Sequence, residues 1–178
     1  MEKAIISGVP HDTSEAKVTI VQVPDQPGIA AKIMRGIAEQ GVNVDMIVQN
    51  VSHGGTTDIS FTVPKTDLSG AMVVLEKLAS EVGADRVVAD SDIAKVSLVG
   101  AGMKSSPGVA AGMFEALADA GVNIEMISTS TIRISCVIRS ADVTIAVRAI
   151  HDRFNLSGEA EFRAGHGEGT AEIPVIRP

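Results

Sequence analysis

The 178-residue chain contains no tryptophan and no tyrosine, a single cysteine and only four phenylalanines. Phe61, Phe114, Phe154 and Phe162 cannot fill a core alone, so Val, Ile, Leu, Met and Ala must supply the volume within a 45% apolar total. The lone Cys136 excludes an internal disulfide and fits a reducing compartment. In the run IRISCVI it reads as a buried small hydrophobe rather than a reactive thiol. No stretch approaches about 18 consecutive apolar residues, so no membrane-spanning helix is expected. The start, MEKAIISGV, lacks the apolar segment of a secretory signal. Basic residues number 15 against 22 acidic, a net charge of −7, and no Lys/Arg cluster stands out. That distribution argues against nucleic acid or an anionic membrane as partner. A soluble cytoplasmic protein is expected.

What is present is a repeat. PGIAAKIMRGIAEQGVNVDMI (27–47) aligns without a gap on PGVAAGMFEALADAGVNIEMI (107–127), with Pro27, Gly28, Ala30, Ala31, Ala38, Gly41, Val42, Asn43, Met46 and Ile47 matched identically. KVTIV (17–21) precedes the first copy and KVSLV (95–99) the second, while TDISFTV (57–63) answers RISCVI (133–138). A match over about 75 residues signals duplication of one folding unit.

Each copy has the same element order. VTIVQV is β-branched and bounded by turn residues, as a strand is. Ile29, Ala30, Ile33, Met34, Ile37 and Ala38 then form a helical stripe stopped by Gly41. NVDMIVQNV and TDISFTV read as strands joined through Gly54-Gly55. Asp67 opens a second helix, stopped by Gly83, and DRVVAD is a short strand. The second copy repeats the pattern, with Val143, Ala146, Val147, Ile150 and Phe154 as its second stripe. The order βαββαβ, twice, predicts an α+β chain of two ferredoxin-like units, each a four-stranded antiparallel sheet with helices on one face. The expected division is a leader strand within 1–16 completing one of the sheets, unit 1 at 17–91, unit 2 at 92–164 and a disordered Gly-rich tail at 165–178.

The turn DQPG (25–28) is the candidate site. Pro27 presets φ for a first helical turn and Gly28 permits close backbone approach. Free amides at the helix start suit a carboxylate. Asp25 could receive an ammonium, or could simply cap the helix.

Other chemistry is weaker. GAGMKSSPG (100–108) departs from a phosphate loop at Met103 and from a dinucleotide fingerprint at Ser105. His11, His53, His151 and His166 have no ligand-like spacing, so no metal is expected. Ser128, Ser130 and Ser135 sit in strand-like runs without a catalytic partner. No cofactor is expected.

DQPGIAAKI, GVNVDMIVQN, KVSLVGAGMKSSPGVAAGMFEAL, GVNIEMISTS and NIEMISTSTIRIS resemble a tandem ACT module, specifically that of the regulatory (beta) subunits of aspartate kinase of actinobacterial type, over about residues 1–165. The resemblance implies a regulatory chain without a kinase active site, paired with catalytic (alpha) subunits in an α2β2 assembly and forming a homodimer through its ACT units when isolated. It implies threonine as effector, with or without lysine, bound where ACT units of two chains meet. The implied pocket uses Asp25, Pro27, Gly28, Ile29, Ala30 and Gln49 from unit 1, closed by Asn123 and Ile124 of the facing chain. Asn43, Asp45, Ser52, Ser130 and Thr131 fall nearby. Relatives of this family usually read STSEIRIS where this chain reads STSTIRIS, so Thr131 replaces a glutamate near the lysine-associated site. Another acid, such as Glu125, substitutes for it, or the glutamate never touched the ligand, or the lysine contribution is weakened. Two further classes stand beside this reading: an enzyme, for which no convergent acid–base set is found, and a structural adaptor with empty turns.

Overall fold

The computed structural model describes residues 5–51, 54–103, 106 and 108–156. The expected disordered tail, Ser52, Ser105 and Pro107 lie outside these described residues. The chain runs through a leader, β1 (Ile5–Gly8) and β2 (His11–Asp12), into β3 (Glu15–Pro24), α1 (Ile29–Glu39), β4 (Ile47–Gln49), β5 (Thr56–Pro64), α2 (Leu68–Val82) and β6 (Arg86–Asp90). It continues through β7 (Ile93–Ala101), α3 (Val109–Asp119), β8 (Met126–Thr129), β9 (Arg133–Arg139) and α4 (Val143–Arg153). Short 3₁₀ turns, 65–67 and 140–142, lead into α2 and α4. The fold is α+β: two antiparallel sheets, each covered on one face by two helices.

Period-two alternation sets the faces of each sheet. In β3, Val18 and Ile20 turn under the helices while Lys17 and Thr19 face away. Phe61 of β5 joins them, with Ile33 and Ile37 of α1 and Ala71 and Leu75 of α2 above. The second core repeats this with Val96, Leu98, Cys136, Met113, Leu117 and Ile150. Cys136 is wholly buried there, and loss of water pushes its thiol up to about 12.

The first sheet has the order β4-β5-β3-β6. In the second, the described strands run β8-β9-β7, and the position that β6 holds in the first sheet is filled by the leader. Ile5 pairs opposite Ala101 and His11 opposite Val96, both antiparallel. The fourth strand of the second unit therefore comes from before the first unit rather than after α4. β3 starts at Glu15, slightly before the boundary expected for unit 1.

The leader crosses β7 at Gly100, where a Cβ would stand 2.4 Å from the Ile5 carbonyl oxygen. Gly100→Ala should force the leader off its register and cost about 1–3 kcal/mol, as overpacking does. Hydrogen exchange should then rise over residues 5–12 while unit 1 keeps its protection. Unchanged protection there would show that the leader accommodates a methyl group.

The faces away from the helices bring the units together with approximate two-fold symmetry. Lys17 of β3 pairs with Glu125 just before β8, and its counterpart Lys95 of β7 pairs with Asp45 just before β4. Met46 and Met126, also counterparts, close a small cluster with Ile93 and Val137. Cross-strand hydroxyl pairs repeat as well, Thr19 with Ser60 and Ser97 with Ser135, each at 2.8 Å. The duplication is thus visible in the interface, not only within each unit.

Candidate functional site at the first PG turn

β3 does not reach the turn straight. Its register shifts between Ile20 and Val23, where Gln22 takes φ 54° and donates its amide to Asp58 Oδ1 at 2.8 Å. This bulge re-aims Pro24 and Asp25. The Asp25 amide then donates to the Gly55 carbonyl at 2.9 Å, tying the turn to the β4–β5 hairpin.

The helix begins later than its proline suggests. Gly28 is the N-cap residue at φ 94°, so Pro27 lies outside the helix. A Cβ on Gly28 would meet nothing within 4 Å, so the requirement for glycine is the left-handed backbone and not close approach. Gly108 holds the same conformation at φ 97°. No side chain caps α1, so Asp25 is not a cap. Its carboxylate is exposed and has no hydrogen bond or ion pair among the described residues. The Ile29 amide donates to Gln26 and that of Lys32 to Gly28, leaving Ala30 and Ala31 amides without backbone acceptors.

These groups edge a cavity of about 360 Å³ lined by Asp25, Pro27, Gly28, Ile29, Ala30 and Gln49, with Pro24, Gln26, Thr57 and Ile59. One side offers a carboxylate, the other the positive end of a helix. Six of the residues expected from the sequence are thus brought together. Thr57 and Ile59 were not expected; the register Val23 opposite Thr57 puts them under the turn. Thr57 is buried and its hydroxyl donates to the Asn50 carbonyl at 2.8 Å.

The other described residues expected at the site lie elsewhere in the single chain. Asn43 follows the C-terminus of α1, about 16 Å from Gly28 along an 11-residue helix. Asn123 and Ile124 stand at the same place after α3; Asn123 is exposed and Ile124 packs on the second core. Asp45 is held by Lys95 between the units and belongs to their interface rather than to the pocket. The pair joins residues 50 apart in one chain, so spacing alone could not reveal it.

Ser130 and Thr131 line a different cavity, of about 570 Å³, at the second PG turn with Gly108, Val109, Ala110 and Thr129. Thr129 stands where Gln49 does in unit 1. Among the described residues no acidic side chain lines it. Glu125 does not reach it either. Burial pushes the Glu125 carboxyl up, but hydrogen bonds from Lys17 and Arg139 outweigh that and hold it below the usual range. Arg139 also binds Asp90 at 2.6 Å and Asp92 at 2.9 Å. Glu125 is therefore committed to the junction between units.

Among the described residues no group of three or more His, Cys, Asp or Glu could hold a metal ion, and no helix is long and apolar enough to cross a membrane.

Comparison with known proteins agrees with this fold. An ACT domain family model matches residues 18–78 and again 96–154. The aspartokinase of Corynebacterium efficiens is 49% identical over 171 residues, covering 95% of this chain, and the aspartate kinase Ask_LysC of Stutzerimonas stutzeri is 52% identical over 160 residues, covering 90%. The chain spans 41% and 39% of the lengths of these two relatives. The ligand-free regulatory subunit of aspartate kinase from Thermus thermophilus superposes with a TM-score of 0.79 at 44% identity, covering 84% of this chain and 98% of that one. A chain from a crystal structure of aspartokinase alpha and beta subunits gives 0.79 at 41% identity, covering 85% and 99%. Matched over nearly the whole length of those regulatory chains, with both ACT units in the same order, this chain belongs to the tandem-ACT regulatory subunits of aspartate kinase.

Proposed function

We propose that the chain is the allosteric subunit through which threonine restrains aspartate kinase, the first step of the aspartate-derived amino-acid pathway. The observation that carries the reading is the first-unit cavity, bordered by a carboxylate and helix amides that have no partner among the described residues. An α-amino acid presents the complementary ammonium and carboxylate. Gln49 and Thr57 supply polar groups for a side-chain hydroxyl, and Ile29 and Ile59 an apolar wall for a methyl group. Asn123 and Ile124 of a facing chain close the pocket, since in their own chain they lie away from it. A catalytic subunit, paired with this chain in an α2β2 assembly, carries out phosphorylation of aspartate; this chain contributes no catalytic group.

The test is a thermal-shift panel of the twenty amino acids on the isolated chain. Threonine at 100 times its dissociation constant should stabilise by roughly 2.7 kcal/mol. Sedimentation under saturating threonine should show a dimer. A monomer would sink the shared-pocket arrangement, and a flat panel would leave an adaptor that assembles its partner without an effector.

Thr131 bears on lysine. It lines the second cavity, whose described lining residues include no acid, and Glu125 is engaged elsewhere. A hydroxyl offers a neutral hydrogen bond in place of a charge-assisted one about twice as strong. Threonine control should therefore persist while lysine adds little, and Thr131→Glu should raise the lysine contribution in the assembled enzyme. Full synergy in the wild type, unchanged by the substitution, would remove position 131 from the account.

A further inference from the structure

A second kind of cavity, of about 330 Å³, lies between the leader and α4, away from both PG turns. It is lined by His11, Val143, Thr144, Val147, Arg148 and His151. Thr144, Arg148 and His151 are spaced four and three along α4, so they share one helix face. His11 pairs opposite Val96, a residue of the second core, which turns it towards the helices.

Among the described residues no acidic side chain lines this cavity, in a chain whose net charge is −7. Asp142 precedes Val143 at the start of α4 without lining the cavity, and the acids next to the two histidines are engaged or directed elsewhere. Asp12 accepts hydrogen bonds from Ser14 at 2.8 and 2.7 Å, and Asp152 lines a separate hollow between α3 and α4. The first unit has no such set. Its α2 carries Ser69, Val73 and Glu76 at the matching positions, and Ala89 pairs opposite Val18 as His11 does opposite Val96. The cationic group exists only because the leader, and not a strand like β6, completes the second sheet.

We propose that this cavity binds a small organic dianion, a phosphate monoester in chemical class. Arg148 presents a planar fork that matches two phosphate oxygens. His11 and His151 each add a ring N–H donor, and the Thr144 hydroxyl another. Val143 and Val147 form the wall for a compact apolar body. The head-group therefore sets the charge requirement and the valines set the size.

The experiment is amide NMR titration of the full chain with phenyl phosphate, inorganic phosphate and benzoate. Phenyl phosphate should give saturable shifts confined to residues 11–12 and 143–151, with millimolar or tighter affinity. Inorganic phosphate and benzoate should bind at least tenfold more weakly, the first lacking the body and the second the dianionic head. Arg148 is exposed, so Arg148→Gln should keep the native spectrum and weaken phenyl phosphate at least tenfold; His11→Gln provides a second variant should the first misfold. Absence of saturable shifts, equal binding of inorganic phosphate, or unchanged affinity in a folded variant would each overturn the proposal.

Discussion

Replacing Lys95 by Met should destabilise the chain by about 3–5 kcal/mol near pH 7, seen as a lower urea midpoint at unchanged slope. The Lys95 side chain is only 9% exposed, donates to Glu15 Oε1 at 2.8 Å and pairs with Asp45. Glu15 is nearly as buried, and its Oε2 already lacks a hydrogen-bond partner among the described residues. Removing the ammonium leaves that carboxylate with no counter-charge away from water. Asp45 is half-exposed and can turn to solvent. Removing both buried charges, in Glu15→Met/Lys95→Met, should restore most of the loss, because two apolar side chains of similar volume need no desolvated charge. A single variant costing under about 1 kcal/mol, or a double variant no better than the single, would show that the cluster is not what holds β3, β4 and β7 together. The pH dependence has a defined sign. Burial pulls the Lys95 ammonium down, yet its hydrogen bonds to Asp45 and Glu15 outweigh this and leave it raised. Its stabilisation is complete below the unfolded lysine value of about 10.4 and is lost as pH rises through the higher folded value.

Asp25→Ala should weaken threonine by roughly 1.5–3 kcal/mol, about tenfold to a hundredfold, measured by calorimetry. The substitution removes the carboxylate expected to receive the ammonium but keeps the amide that donates to Gly55. Stability should change little, because Asp25 is exposed and caps nothing. Unchanged affinity would leave the exposed carboxylate without a role in the pocket and shift recognition to the helix amides and Gln49. Inhibition of the assembled kinase should follow the binding constant, so a variant that binds normally but no longer responds would point to transmission between units instead. The two variants thus separate the pocket from the interface that joins the units.

The duplicated motif around each PG turn was legible because helical and strand periodicities write themselves into residue type. Ile33 and Ile37 fall where a stripe places them, and Val18 and Ile20 where alternation does. The DQPG turn was legible as the start of a helix, but its shape was not: Gly28 takes a left-handed backbone instead of permitting a close approach, and Pro27 stands outside the helix. Thr57 and Ile59 were not, although they line the same pocket. Their place depends on the β3–β5 register, which the bulge at Gln22 displaces and no local spacing records. Asp45 and Glu125 show the same limit from the other side: both precede a strand and look like pocket residues, yet each reaches across to a lysine of the opposite unit.

By itself, then, the order of residues determined the two ACT units, their core stripes and the position of the first PG turn, because these follow from contacts within a few residues or within one repeat. Only the tertiary structure decided that the leader completes the second sheet, that Lys17 and Lys95 exchange partners between units, and that His11 meets Arg148 and His151. Those placements join positions roughly 50 to 140 apart in the chain, and such pairs are selected by the packing of whole sheets, which leaves no periodic mark in the sequence.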